Sequence, residues 1–236
     1  MSVDDFPLPG NARRVHPASA PVDGIELWFA TLAAGEEEYA RIASWLAPAE
    51  HARAARFGRD WLRRRYVIGR ALLRSILGRT LLLAPSAVPI VRGERGRPRL
   101  DGIDGIDFNV SHTQDAALVG LARGPRIGVD IERADREVNA DGLARKFLSL
   151  VEQSTLAGLG PDERRAKFLR YWTCKEAMSK ATGDGISAPF RSMEVRLSGT
   201  ISLTAGRPPY APERWRLRAV DAGDGYLATL AIWLRD

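Results

Sequence analysis

Two short segments concentrate the residue types that can handle a charged phosphorus centre. Ile127-Gly128-Val129-Asp130-Ile131-Glu132 reads as a strand, and alternation with period two sends Ile127, Val129 and Ile131 to one face and Gly128, Asp130 and Glu132 to the other. Two carboxylates then project side by side, with bare backbone at Gly128 beside them, as a site admitting a bulky ligand would require. Alone, the same pattern also describes an antiparallel strand with its polar face in water. The second segment, FLRYWTCKEAMSKATG over residues 168–183, places Glu176 and Lys180 four apart on one helix face with Leu169, Trp172 and Thr173. A surface Glu–Lys pair is the plain alternative there, but Trp172 beside the acid implies partial burial, and partly buried charges need partners. Asp130, Glu132 and Glu176 together would supply three hard oxygen ligands suited to Mg²⁺.

Two further segments offer donors to an anion. Ser111 and His112 end the strand-like FNVSH just before a turn, and strand alternation points them to opposite faces, which excludes a hydrolase triad built on that pair. Gly96-Arg97-Pro98 is a glycine-punctuated loop exposing Arg97, able to hold a phosphate or to close a turn.

Charge agrees with an anionic ligand. Of 35 basic residues only four are lysines, and two of these, Lys175 and Lys180, flank Glu176; the formal net charge is +6. Residues 51–79 hold His51, Arg53, Arg56, Arg59, Arg63, Arg64, Arg65, Arg70, Arg74 and Arg79, which suits a phosphorylated cofactor, an acidic protein or nucleic acid, or else forms a solvated helix face. The longest apolar run is far shorter than the roughly 20 residues of a membrane span, and no secretory signal opens the chain. The single cysteine, Cys174, excludes a disulfide framework and a Cys-based zinc site; we expect a buried thiol and a cytoplasmic protein.

The elements that must hold these residues follow from periodicity. Residues 1–24, rich in Pro, Ala and Gly, read as a loose N-terminal arm. A strand over 25–29 precedes helices at 36–46 and 48–78, the latter stopped by Gly78, then a strand at 88–91 and two strands around the Gln114-Asp115 turn. IGVDIE restarts the series: helices near 140–157 and 162–182, then strands at 193–197, 215–220 and 226–233. AALVGLA and YLATLAIW read as the same closing strand used twice. The expectation is an α+β fold of two similar lobes, 25–123 and 124–236, each with helices on a small, mostly antiparallel sheet, and a ligand cleft between them.

In that order GRP, FNVSH, IGVDIE and WTCKEAMSK resemble the motifs of the Sfp-type 4'-phosphopantetheinyl transferases, a likeness covering all but the N-terminal arm. The resemblance implies a single-chain pseudo-dimer, active as a monomer, with coenzyme A between α/β lobes. It implies Mg²⁺-dependent transfer of the phosphopantetheine arm to a serine of an apo acyl or peptidyl carrier protein, an acidic partner, with release of adenosine 3',5'-bisphosphate. Carried onto this chain, Asp130, Glu132 and Glu176 would hold Mg²⁺ against the CoA pyrophosphate, with Lys180 adding positive charge there. Ser111, His112, Arg53 and Arg97 would bind the 3'-phosphate, and Glu152 in FLSLVE matches an acid near the metal site. Glu176 or a metal-bound water would take the serine proton. Two other classes stay open: a nucleic-acid-binding module, which leaves the converging acids unexplained, and an Mg²⁺-dependent phosphodiesterase or nuclease using the same acids.

Overall fold

The computed structural model describes residues 8–234. Strands β1 (Arg13–Pro17) and β2 (Ile25–Thr31) lead into helices α1 (Glu36–Ala43), α2 (Pro48–Ala55) and α3 (Asp60–Leu81). A small hairpin, β3 (Ile90–Arg92) and β4 (Pro98–Leu100), precedes β5 (Ile106–His112) and β6 (Ala116–Arg123). The second half repeats the plan: β7 (Arg126–Arg133), α4 (Ala140–Phe147), α5 (Leu150–Ser154), α6 (Pro161–Thr182), the hairpin β8 (Glu194–Arg196) and β9 (Ser202–Ala205), then β10 (Trp215–Asp221) and β11 (Tyr226–Trp233).

Seven strands form one antiparallel sheet in the order β5-β6-β2-β1-β10-β11-β7. Flanking β1, the first half contributes β5, β6 and β2 and the second β10, β11 and β7, in each case the penultimate and last strands followed by the strand that precedes the helices, so the duplicated pattern read from AALVGLA and YLATLAIW is present in the topology as well. β1 joins the halves, pairing with β2 on one side and β10 on the other. This corrects the expected loose arm over residues 1–24, of which residues 1–7 lie outside the described residues. The strand escapes notice because it turns only Val15 and Pro17 inward between proline- and glycine-rich flanks.

Helix boundaries differ from expectation in three places. The segment 48–78 is two helices, broken around Gly58, with Arg59 in an extended conformation at the start of α3. α3 also runs through Gly78 and ends at Leu82, which takes the left-handed φ of 56°. Gly78 serves a close approach instead: a Cβ there would meet the Leu83 carbonyl oxygen at 2.7 Å. The region 140–157 divides at Ser149, whose hydroxyl caps α5 while Glu152 reaches back to the Ser149 N–H.

α1–α3 cover one face of β2, β5 and β6 around Leu72, Leu77 and Phe108, and α6 covers the second half around Phe168, Met178 and Trp215. A third core lies between the halves, with Leu27, Phe29 and Leu118 against Ile127, Val129, Ile131 and Leu230. The two ends of the sheet therefore meet. No backbone ladder joins β5 to β7; instead Asp107 Oδ2, Asn109 Oδ1 and Ser111 Oγ accept hydrogen bonds from the N–H groups of Ile127, Val129 and Ile131 at 2.8, 2.9 and 3.3 Å. Side chains of period two thus satisfy the N–H groups of a buried strand edge, which would otherwise be unpaired.

Candidate functional site

β7 is buried on both faces, and its alternation is the one read from sequence: Ile127, Val129 and Ile131 enter the shared core, while Gly128, Asp130 and Glu132 face α6. Gly128 has a different reason from the expected ligand access. A Cβ at that position would stand 1.9 Å from the Ala177 carbonyl oxygen and 2.7 Å from the Ala181 nitrogen, so the glycine lets α6 lie directly on β7. That contact brings Glu176 and Lys180, on the same turns of α6, up to the acids of the strand.

Asp130 is 4% exposed. Its Oδ1 accepts from Lys180 Nζ at 2.6 Å and from Ser111 Oγ at 2.8 Å, and Lys180 Nζ also donates to Ser111 Oγ at 2.7 Å. Its Oδ2 is buried and has no hydrogen-bond partner. Glu132 pairs with Arg136 and bonds to Trp172; burial, then the Asp130 charge, push its pKa above the ordinary value. Burial likewise raises the pKa of Glu176, opposed by Lys180 and reinforced by Asp130 and Glu132. The three carboxylates are close enough to feel one another's charge. Among the described residues no group of three or more His, Cys, Asp or Glu side chains stands already arranged around a metal position, and Glu132 is paired with Arg136. The donor set nevertheless fits a hard divalent cation: three carboxylates that repel one another and a buried carboxylate oxygen lacking a partner.

On the other face of β5, Val110 and His112 line a cavity of about 470 Å³ with Arg53, Arg65, Tyr66, Arg70 and Arg92. Arg53 lies over the Tyr66 ring, 5.6 Å from its centroid. Arg65 donates to the Thr113 carbonyl at 2.5 Å while its buried Nε has no partner. Protein packed around His112, then Lys180, Arg65 and Arg70, push its pKa below the ordinary value, although part of its surface is open to solvent. A neutral imidazole among arginines, free to gain a proton when an anion arrives, is a fitting anion subsite. His112 also borders a second, more open cleft with Glu132, Arg133 and Arg136, so it stands between the arginine-lined cavity and the acids.

The structure thus gathers Asp130, Glu132, Glu176 and Lys180 at one place and Arg53 with His112 at another nearby. Three other expected site residues have partners of their own within the protein. The Ser111 hydroxyl turns away from the cavity toward the acids, donating to Asp130 and accepting from Lys180 and the Ile131 N–H. Arg97 is 9% exposed and holds Asp107 through both arms of its fork at 2.8 Å, leaving no free edge for a phosphate. Glu152 is 1% exposed; its oxygens accept from Lys175 Nζ at 2.6 Å, the Ser149 N–H and the Val195 N–H, the contacts of a buried structural acid. Its sequence signal was the capping pattern Ser149-x-x-Glu152. Arg65 and Arg70, which the arginine-crowded α3 concealed, and Arg92 on β3 are further cavity residues. Arg74, from the same basic stretch, also borders this cavity but is buried, with its guanidinium on Glu50 and the Pro85 and Val88 carbonyls. Cys174 is a buried thiol against Thr229, its pKa pushed up to about 11 by burial, as expected of an inert side chain.

Residues 126–231 match the family model of the 4'-phosphopantetheinyl transferase superfamily, and residues 31–123 match that of the 4'-phosphopantetheinyl transferase N-terminal region. The 4'-phosphopantetheinyl transferase HetI of Nostoc sp. is 37% identical over 214 residues, covering 89% of this chain and 88% of the relative. The corresponding enzyme Sfp of Bacillus subtilis is 30% identical over 71% of this chain and 75% of its own length. AcpT of Salmonella typhimurium, also named a 4'-phosphopantetheinyl transferase, is 31% identical over 74% and 80%.

Proposed function

The chain belongs to the 4'-phosphopantetheinyl transferase superfamily, and on that premise we propose that it moves the 4'-phosphopantetheine arm of coenzyme A onto a serine of an apo acyl or peptidyl carrier protein with the help of Mg²⁺. The observation that carries this reading is the buried, unpartnered Oδ2 of Asp130, set between Lys180 and two glutamates of raised pKa, beside a cavity lined by arginines.

In the reaction the serine oxygen forms a bond to the phosphorus that carries the pantetheine arm. The bridging P–O bond of the pyrophosphate breaks, and adenosine 3',5'-bisphosphate leaves. Asp130, Glu132 and Glu176 would hold Mg²⁺, which when bound supplies charge neutralisation at the pyrophosphate. Lys180, fixed by Asp130 and Ser111, offers a cation to the oxygen that gains charge as the bond breaks. Glu176 is the proton acceptor this chain offers to the serine hydroxyl, since a carboxylate of raised pKa is a stronger base than an ordinary one. Arg53 and His112, with Arg65, Arg70 and Arg92 around them, bind the 3'-phosphate. The chain's positive charge suits an acidic carrier and makes association salt-sensitive. The two halves complete one sheet within a single chain, which supports an enzyme that works as a monomer, and its single free cysteine suits the cytoplasm.

Asp130→Ala tests the reading. Transfer from CoA should be lost at saturating Mg²⁺ with the fold intact by circular dichroism; turnover near that of the unmodified protein would remove Asp130 from the metal site. The phosphodiesterase and nucleic-acid readings have no observation in their favour beyond features the transferase already explains.

A further inference from the structure

The loop between β3 and β4 belongs to the first half of the chain, yet it packs against the C-terminal turn of α6 in the second. Arg97, at its end, uses its guanidinium on four acceptors. Nη1 and Nη2 donate to Asp107 Oδ1 and Oδ2, Nη2 donates also to the Ile127 carbonyl at 2.8 Å, and Nε donates to the Lys180 carbonyl at 2.9 Å. Asp107 Oδ2 in turn accepts from the Ile127 N–H at 2.8 Å. Lys180 lies in the last turn of α6, where carbonyls lack intrahelical partners and the helix dipole favours a cation. Gly183 ends the helix at φ +88°, and the spot where its Cβ would stand lies 3.6 Å from the Arg97 Cβ. Beside it Arg95 pairs with Asp184, which also accepts from the Tyr210 hydroxyl, a second tie from the same loop.

We propose that Arg97 and Asp107 form a clamp across the two halves that positions Lys180 against Asp130, and that Arg97 is a positioning residue for transfer and no ligand of the coenzyme. One guanidinium grips the backbone at Ile127, three residues before Asp130, and the backbone of Lys180 itself. These are the two segments, β7 and α6, whose relative placement sets the 2.6 Å contact between Lys180 Nζ and Asp130 Oδ1. The planar fork is essential to this task, because a lysine keeps the charge but cannot reach two carboxylate oxygens and two carbonyls at once. The inference rests on the transferase reading for the importance of Lys180; the contacts themselves do not.

The test uses Arg97→Lys and Asp107→Asn in the full chain. With apo-carrier, CoA and Mg²⁺, both variants should lose about 10- to 100-fold in kcat per folded molecule, the scale expected for a misplaced catalytic group, while calorimetry finds CoA affinity nearly unchanged. In a Lys180→Ala background the residual rate should not fall further on adding Arg97→Lys. A phosphate-binding Arg97 gives the opposite pattern: kcat retained at saturation, weaker CoA binding and unaltered binding of dephospho-CoA. A merely structural Arg97 lowers the melting temperature and adds its loss of rate in the Lys180→Ala background. Either result overturns the proposal. Hydrogen exchange provides a readout without turnover, since amides at 127–131 and 180–184 should exchange faster in both variants. If the unmodified protein transfers nothing to any carrier, the functional reading fails by itself, and unchanged exchange at those amides would still overturn the clamp.

Discussion

Replacing Gly128 by alanine adds one methyl group at the contact on which the site depends. That carbon would stand 1.9 Å from the Ala177 oxygen and 2.7 Å from the Ala181 nitrogen, both backbone atoms of α6 that no rotamer change can move aside. Ordinary contact begins near 3.4 Å, so helix and strand must separate by roughly 1.5 Å in a core packed at crystal-like density. Glu176 and Lys180 ride on those turns, and Lys180 Nζ now sits 2.6 Å from Asp130 Oδ1. A displacement of this size removes the contact, and a misplaced catalytic group costs on the order of 100-fold in kcat. Overpacking of this kind destabilises by about 1–3 kcal/mol, which for a chain of this length lowers the melting temperature by about 2–12 °C. The assay is initial rate of carrier modification at saturating CoA and Mg²⁺, alongside a thermal melt by circular dichroism. A variant with the rate and melting temperature of the unmodified protein would refute the reasoning, because it would mean that β7 and α6 do not touch through Gly128.

Two other substitutions probe the ion pairs that hold the frame. Burial alone would raise the pKa of Glu50, but the Arg70 charge and hydrogen bonds from Arg74, the Ala47 N–H and Arg70 outweigh it and hold it below 4.5. Its stabilisation is therefore present above pH 4.5 and lost as pH falls through the lower folded value. Glu50→Gln should cost about 3–5 kcal/mol at pH 7 by urea unfolding, since Arg74 stays buried without a counter-charge, and the gap should narrow below pH 4.5; a pH-independent gap would contradict this. Glu152→Gln strands the buried ammonium of Lys175 and should cost a similar amount of stability, about 3–5 kcal/mol, with kcat per folded molecule unchanged. Loss of kcat in a folded Glu152→Gln protein would return that acid to the catalytic set.

What was legible in the chain was what repeats over a few residues. The alternation of IGVDIE and the four-residue spacing of Glu176 and Lys180 survive intact, because β7 and α6 impose those periods locally. The repeated plan of strand, helices and later strands was also visible, but β4 and β9, the three- and four-residue second strands of the two small hairpins, were too short to show a period, and β1 was hidden by its flanks and by needing partners from both halves. Side-chain destinations decided across long separations were not legible. Ser111 looked available to an anion until β7, twenty residues on, took it up. Arg97 in a glycine-rich loop looked exposed, but Asp107 and the end of α6 enclose it. Asp107, Asn109 and Ser111 share the same period two as the strand they serve, and that match was the available sign of the β5–β7 seam.

The central claim is the transfer reaction itself, and intact-mass spectrometry of an apo-carrier protein incubated with this protein, CoA and Mg²⁺ tests it most directly. The carrier should gain the mass of one phosphopantetheine arm, and the gain should be absent with EDTA and absent with Asp130→Ala. No gain on acyl or peptidyl carriers, or a gain that persists in EDTA, would contradict it.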